Sequence, residues 1–135
     1  MVPSLDVPNG SPAASVSSRV LVVEDEFLIR SMLSEELREA GYHVIEACDA
    51  AEALLVFETV KPDLIISDVR MPGPLDGLDL LARVRETSPA LPVIIISGHE
   101  SPSQALIEGA TRFLAKPYRL EVVVLAVREA LKKDP

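Results

Sequence analysis

One cysteine, Cys48, is all that this chain of 135 residues contains, which excludes an intrachain disulfide and a cysteine-based zinc cluster. The plain expectation for Cys48 is a small side chain buried among apolar neighbours. Basic residues are scarce too: 13 Lys and Arg against 21 Asp and Glu leave a formal net charge of −8. That balance argues against a nucleic-acid partner held by a general basic surface. No apolar run reaches the roughly eighteen residues of a membrane span. Residues 1–18 lack the basic start and apolar centre of a signal peptide, so the expected location is cytoplasmic. Asp6 is the sole charged side chain of that stretch, which is otherwise rich in Pro, Gly and Ser; nothing in it can bury a face. It is expected to be a flexible leader.

What is present suits one compact domain over residues 19–133. Hydrophobic residues make up 48% of the chain and charged residues 25%, enough to build a core at the usual size of a single domain. Val20-Leu21-Val22-Val23 reads as a strand buried on both faces, as do Leu64-Ile65-Ile66 and Val93 to Ile96. Tyr42 to Ala47 and Arg112 to Ala115 complete five strands. Ile29, Met32, Leu33, Leu37 and Ala40 recur at helical spacing, and Gly41 ends that helix. Asp49 with Glu52 forms a capping box for a second helix, which must end before Pro62. A third helix spans about Gly77 to Glu86. Ser101-Pro102-Ser103-Gln104 opens a short fourth that Gly109 stops, and Leu120 to Lys132 makes the last, with a basic end that suits the helix dipole. Strands alternating with helices imply parallel pairing through right-handed crossovers, a doubly wound three-layer α/β domain. Ligands bind such domains at the carboxyl ends of the strands.

Those ends carry Glu24-Asp25, Asp68, Ser97 and Lys116-Pro117. Three carboxylates gathered at low dielectric repel one another, so an uncompensated site must raise a pKa or loosen its loops. A hard divalent cation meets that need and leaves coordination places for phosphate oxygens. Lys116 then supplies a point charge and Ser97 a hydrogen-bond donor for a phosphoryl group, and a facing carboxylate can become an acyl phosphate. Taken singly, each residue has a plainer reading: a helix-dipole acid for Glu24 to Glu26, a turn former for Asp68, a solvated Lys116. The plainer readings weaken together because all these positions fall at one edge of one sheet. His43 and His99 lie too far apart in sequence to suggest a metal pair, and neither is assigned a metal.

At these residues the sequence resembles the receiver domain of bacterial two-component response regulators. The resemblance rests on Val22-Val23-Glu24-Asp25-Glu26, the stretch Leu64 to Gly73, Asp76-Gly77-Leu78, Ile95-Ile96-Ser97-Gly98 and Phe113-Leu114-Ala115-Lys116-Pro117. It implies a flavodoxin-like sheet in order 2-1-3-4-5 with five helices. It makes Asp68 the phosphoacceptor, taking a phosphoryl group from a histidine kinase or histidine phosphotransfer protein. Mg²⁺, with Mn²⁺ as an alternative ion, is implied at Asp25, Asp68 and the backbone carbonyl of Arg70, with Glu24 close by or acting through water. Ser97 and Lys116 match the residues that meet the phosphoryl group. Phe113 matches the aromatic switch residue, whose plainer reading is an ordinary core phenylalanine. The Lys116-Pro117 peptide is expected to be cis. Arg70 and His99 match positions that tune the lifetime of the acyl phosphate.

The sequence departs from the family pattern twice. The loop Gly73-Pro74-Leu75-Asp76 carries one residue more than its common form. The span from Ser97 to Gly109 is shorter than usual by about three residues, nearly one helical turn, so the fourth helix should be abbreviated. The run Val122 to Val127 is apolar all round, whereas a helix covering a sheet needs one stripe. Some of these side chains should face away, buried by loops, left exposed, or used in a homodimer or partner contact. The chain stops just after this helix, so the expected protein is a stand-alone regulator, not an enzyme beyond its own phosphotransfer and dephosphorylation, that signals through protein contacts to an unknown downstream protein. The alternatives are a module excised from a hybrid kinase or longer regulator, an adaptor that is never phosphorylated, and a metal-dependent aspartyl phosphohydrolase. The last wants a carboxylate two residues after its nucleophile, where this chain has Arg70. A flavodoxin would need a hydroxyl-rich loop after the first strand, and here that loop is acidic.

Overall fold

The computed structural model describes residues 17–98 and 102–132; the expectations for residues 1–16, His99, the Ser101 cap and Lys133 fall outside them. The described elements are β1 (Arg19–Val23), α1 (Phe27–Glu39), β2 (His43–Ala47), α2 (Ala50–Val60), β3 (Leu64–Asp68), α3 (Gly77–Thr87), β4 (Val93–Ser97), α4 (Pro102–Ile107), β5 (Arg112–Ala115) and α5 (Leu120–Leu131). All pair in parallel in the order β2-β1-β3-β4-β5. Boundaries fall within two residues of those read from the sequence. β3 runs past its apolar stretch and carries Ser67 and Asp68 into the strand.

The apolar strands are continuous because each residue has a helix to meet. Leu21, Val23, Ile65, Val93 and Ile95 pack on one face with Ala50 and Ala53 of α2, Leu80, Leu81 and Val84 of α3, and Ala105 of α4. Val20, Val22, Leu64, Ile66, Ile94 and Ile96 pack on the other with Leu33 and Leu37 of α1 and Val123, Ala126 and Val127 of α5. Alternation along the strand thus sends successive side chains to opposite apolar layers. α5 uses only part of its apolar circumference, leaving Val122 and Leu125 exposed at 42% and 50%.

Local signals set the ends. Gly41 adopts φ +104° just beyond α1, a conformation glycine reaches without steric cost. The Asp49 side chain accepts from the Glu52 N–H at 2.8 Å, but the Glu52 carboxylate accepts from Cys48 N–H rather than from Asp49. Half of the expected box is therefore displaced by one residue. Asp76 and Asp79 make the full reciprocal box at α3, which the sequence reading overlooked. Cys48 is exposed, against expectation. It stands in the turn after β2, an edge strand, where neither helical layer covers it. α4 has six residues, as short as its sequence span requires.

Candidate functional site

Strand register assembles the site. Val23 lies beside Ser67, Asp68 beside Ile96, and Ser97 beside Ala115. The residues that follow β1 and β5, Glu24 and Lys116, are thereby brought to the end of β3 where Asp68 sits. Asp25, Glu26, Asp68, Arg70, Ser97, Gly98 and Lys116 line a cleft of about 340 Å³. Asp68 is 8% exposed and fixed at both oxygens: Oδ1 accepts from Val69 N–H at 2.8 Å, and Oδ2 accepts from Lys116 Nζ at 2.8 Å. Ser97 is buried, and its carbonyl receives the Lys116 N–H at 3.1 Å. The Lys116-Pro117 peptide is cis, as expected.

Carboxylate oxygens of Glu24, Asp25 and Asp68 lie within 4.8 Å of one another. A carboxyl is raised there, as expected, but burial contributes more than the neighbouring charges. Glu24 is pushed from 4.5 up to about 7, first by burial and then by the Asp68 and Asp25 charges, against a hydrogen bond from Glu26 N–H and the charge of Lys116. At Lys116 burial opposes the ammonium, but the Asp68 hydrogen bond and the charges of Asp68 and Glu24 outweigh it and hold its pKa above the ordinary value. Burial and the Glu24 charge push Tyr118 upward as well. Three hard oxygen donors brought this close together, two of them on buried residues, fit a divalent cation. Glu24, Asp25 and Asp68 are the residues that could hold it.

Arg70 lies at the exposed rim of the cleft. Phe113 is half-buried and packs against the layer formed by α2, α3 and α4 rather than standing in solvent. Three features escaped the sequence reading. Gly77 donates its N–H to the Val69 carbonyl at 2.8 Å, and a Cβ there would stand 2.1 Å from the Asp68 carbonyl oxygen. Only a residue without a side chain lets α3 begin against the backbone at the end of β3. Arg30 of α1 bonds the Glu24 carbonyl. Tyr118 packs on the α1 and α5 layer beside the acids. The first two are contacts across loops and elements, invisible to periodicity; Glu46, an acid between the apolar residues of β2, is the signal from which a partner such as Arg30 could have been sought.

The response regulator receiver domain pattern matches residues 20–128. The chain belongs to the response regulator receiver family of two-component systems. Among curated proteins, the transcriptional regulatory protein PdtaR of Mycobacterium tuberculosis is 36% identical over 129 residues, 93% of this chain and 62% of the relative. The response regulator MprA of Mycobacterium bovis is 36% identical over 121 residues, 87% of this chain and 52% of the relative. The chain therefore spans between about half and two thirds of the length of these relatives. Among solved structures, a Francisella response regulator receiver domain superposes with TM-score 0.81 at 30% identity, covering 85% of this chain and 97% of the other. The receiver domain of NtrX from Brucella abortus gives 0.79 at 34%, covering 85% and 99%. Among the described residues, no helix is long and apolar enough to cross a membrane.

Proposed function

We propose that this receiver domain accepts a phosphoryl group on Asp68 from a phosphohistidine of a histidine kinase or phosphotransfer protein, in the cytoplasm, and passes the signal through protein contacts. The observation that carries the reading is a nearly buried carboxylate held at both oxygens, by Val69 N–H and Lys116 Nζ, with two further carboxylates beside it. In the transfer, an Asp68 oxygen attacks phosphorus, the P–N bond breaks, and its electron pair leaves on the imidazole nitrogen. Glu24, Asp25 and Asp68 would hold Mg²⁺ or Mn²⁺, with the Arg70 carbonyl as a further ligand; the ion supplies charge neutralisation between the carboxylates and the incoming phosphoryl oxygens. Lys116 exchanges its carboxylate partner for a phosphoryl oxygen, and the Ser97 hydroxyl donates to another. Both residues move toward the new charge, and Phe113, half-buried beside α4, shifts its population with them.

An apolar surface on α1 and beside Lys116 suits a protein donor. Phe27, Leu28 and Met32 of α1 are exposed at 66%, 71% and 57%. Ile29, Met32, Pro117, Tyr118 and Leu120 line a groove next to Lys116. Val122 and Leu125 of α5 offer a separate apolar face for a second copy or a downstream protein. Light scattering at rising concentration, before and after phosphorylation, tests the second-copy contact; monomer throughout counts against it. Arg70 and His99 tune the phosphate lifetime through access of water. Arg70→Ala changes the decay rate without abolishing phosphorylation, and equal decay dismisses the role.

Intact-mass spectrometry after incubation with Mg²⁺ and a small acyl phosphate tests the main reading. Wild type gains one phosphoryl mass, EDTA prevents the gain, and Asp68→Ala abolishes it. A gain that survives Asp68→Ala, or no gain in any condition, defeats the proposal.

A further inference from the structure

We infer that Arg30 is a positioning residue for the acidic β1–α1 loop: it fixes the peptide between Glu24 and Asp25 so that their carboxylates converge on a divalent cation. The inference rests on the Mg²⁺ reading above. Arg30 sits in the first turn of α1 and is largely buried. Its Nη1 donates to the Glu24 carbonyl at 2.8 Å and its Nε to Glu46 Oε1 at 2.9 Å, while its guanidinium lies 5.6 Å from the centre of the Phe27 ring. Glu46 is in turn held from its other oxygen by Arg38 Nη2 at 3.2 Å. The Glu24 N–H donates to the Ala47 carbonyl at 3.1 Å. Glu24 is therefore tied to β2 on both sides, directly through its N–H and through the Arg30–Glu46 pair at its carbonyl.

That carbonyl belongs to the peptide that leads into Asp25, so its orientation sets where the Asp25 side chain leaves the backbone. A guanidinium spans two acceptors in a fixed fork; a lysine ammonium at this position cannot reproduce both bonds with the same geometry. The positive charge of Arg30 alone would have the opposite effect on a cation site. Its removal should then tighten Mg²⁺ binding, by relieving repulsion. Positioning and charge thus predict opposite signs.

Calorimetric titration of Mg²⁺ into the full chain reads the difference, with unfolding in EDTA as the check on the fold. Arg30→Met and Arg30→Lys are expected to weaken Mg²⁺ binding by about tenfold, the usual scale for a group that orients a ligand. Affinity equal to or tighter than wild type in the folded variants overturns the inference. Should the Arg30 variants fail to fold, Glu46→Leu and Glu46→Gln decide. Both remove one negative charge, but only Gln keeps an acceptor for Arg30, so Gln retains affinity and Leu loses it; equal affinities overturn the inference. A wild type that binds no Mg²⁺ fails the metal reading itself, and with it this extension.

Discussion

β3 is buried at all five positions, between β1 and β4, with helices over both faces. β5, two strands away, is exposed at both ends and only half-buried between, and the helix before it is a six-residue stub. The proposed acceptor carboxylate sits on the first of these and the proposed switch aromatic on the second. A nucleophile must be held where incoming phosphorus will meet it, which favours a site over-determined by packing and hydrogen bonds. A readout element must have a second arrangement close in energy, which favours a sparsely covered edge. Asp68 and Lys116 are joined by one hydrogen bond across that contrast, which the proposed function would use to couple them.

The sharpest way to break the comparison is to add the same methyl group against β3 and against Lys116, the residue that follows β5. Gly77→Ala places a Cβ 2.1 Å from the Asp68 carbonyl oxygen and 2.9 Å from Val69 Cα, both backbone. It should cost about 3 kcal/mol in urea denaturation, since neither element can yield without displacing Asp68. Gly98→Ala meets only Lys116 Cβ at 3.5 Å, an ordinary contact, and should change stability by no more than about 0.5 kcal/mol. Similar losses at both glycines would erase the distinction drawn here.

The charge side of the contrast appears in pH dependence. Glu24 is raised from 4.5 to about 7, so the folded state keeps a proton that the unfolded state has released between those values. Stability without metal should therefore fall as pH rises from about 4.5 through about 7 and level off above, by at most roughly 3 kcal/mol from this group. Glu24→Gln should flatten that slope, and saturating Mg²⁺ should stabilise wild type more at pH 8 than at pH 5.5. Parallel curves for wild type and Glu24→Gln would refute the assignment.

A smaller effect is expected at the β5 edge. Arg85 of α3 donates Nε to the Gly109 carbonyl at 2.8 Å and Nη1 to the Ser88 carbonyl at 3.0 Å. It ties the end of the short fourth helix to α3. Arg85→Ala should cost about 1–2 kcal/mol. It should also speed hydrogen exchange at Ala110 and Thr111, whose amides bond Ala105 and Val93, while leaving β3 amides protected. Equal acceleration at the β3 amides would mean that the two regions open as one unit.

The sequence made the fold legible because β1, β3 and β4 are built on short runs of Val, Leu and Ile, and because Gly41, Asp49 and Gly109 punctuate the helices. Asp68, Asp25, Ser97 and Lys116 could be placed together since a parallel sheet brings all carboxyl ends to one edge. What stayed hidden depends on distance rather than period. The Gly77 contact reaches back across a loop, and the Arg30–Glu46–Arg38 cluster links α1 to β2. The Glu52 side chain reached one residue beyond its expected partner, a detail of backbone path rather than residue type. Cys48 was misjudged because its type favours burial, whereas its position just after an edge strand left nothing to bury it.

Reductive trapping is the most direct trial of the central claim. Borohydride converts an acyl phosphate to an alcohol at the residue that carried it, and peptide mass mapping then locates the change. After phosphorylation with Mg²⁺, the modified position should be Asp68 alone. Reduction at Glu24 or Asp25 instead, or an unmodified Asp68 in protein that has gained phosphate, would contradict the account.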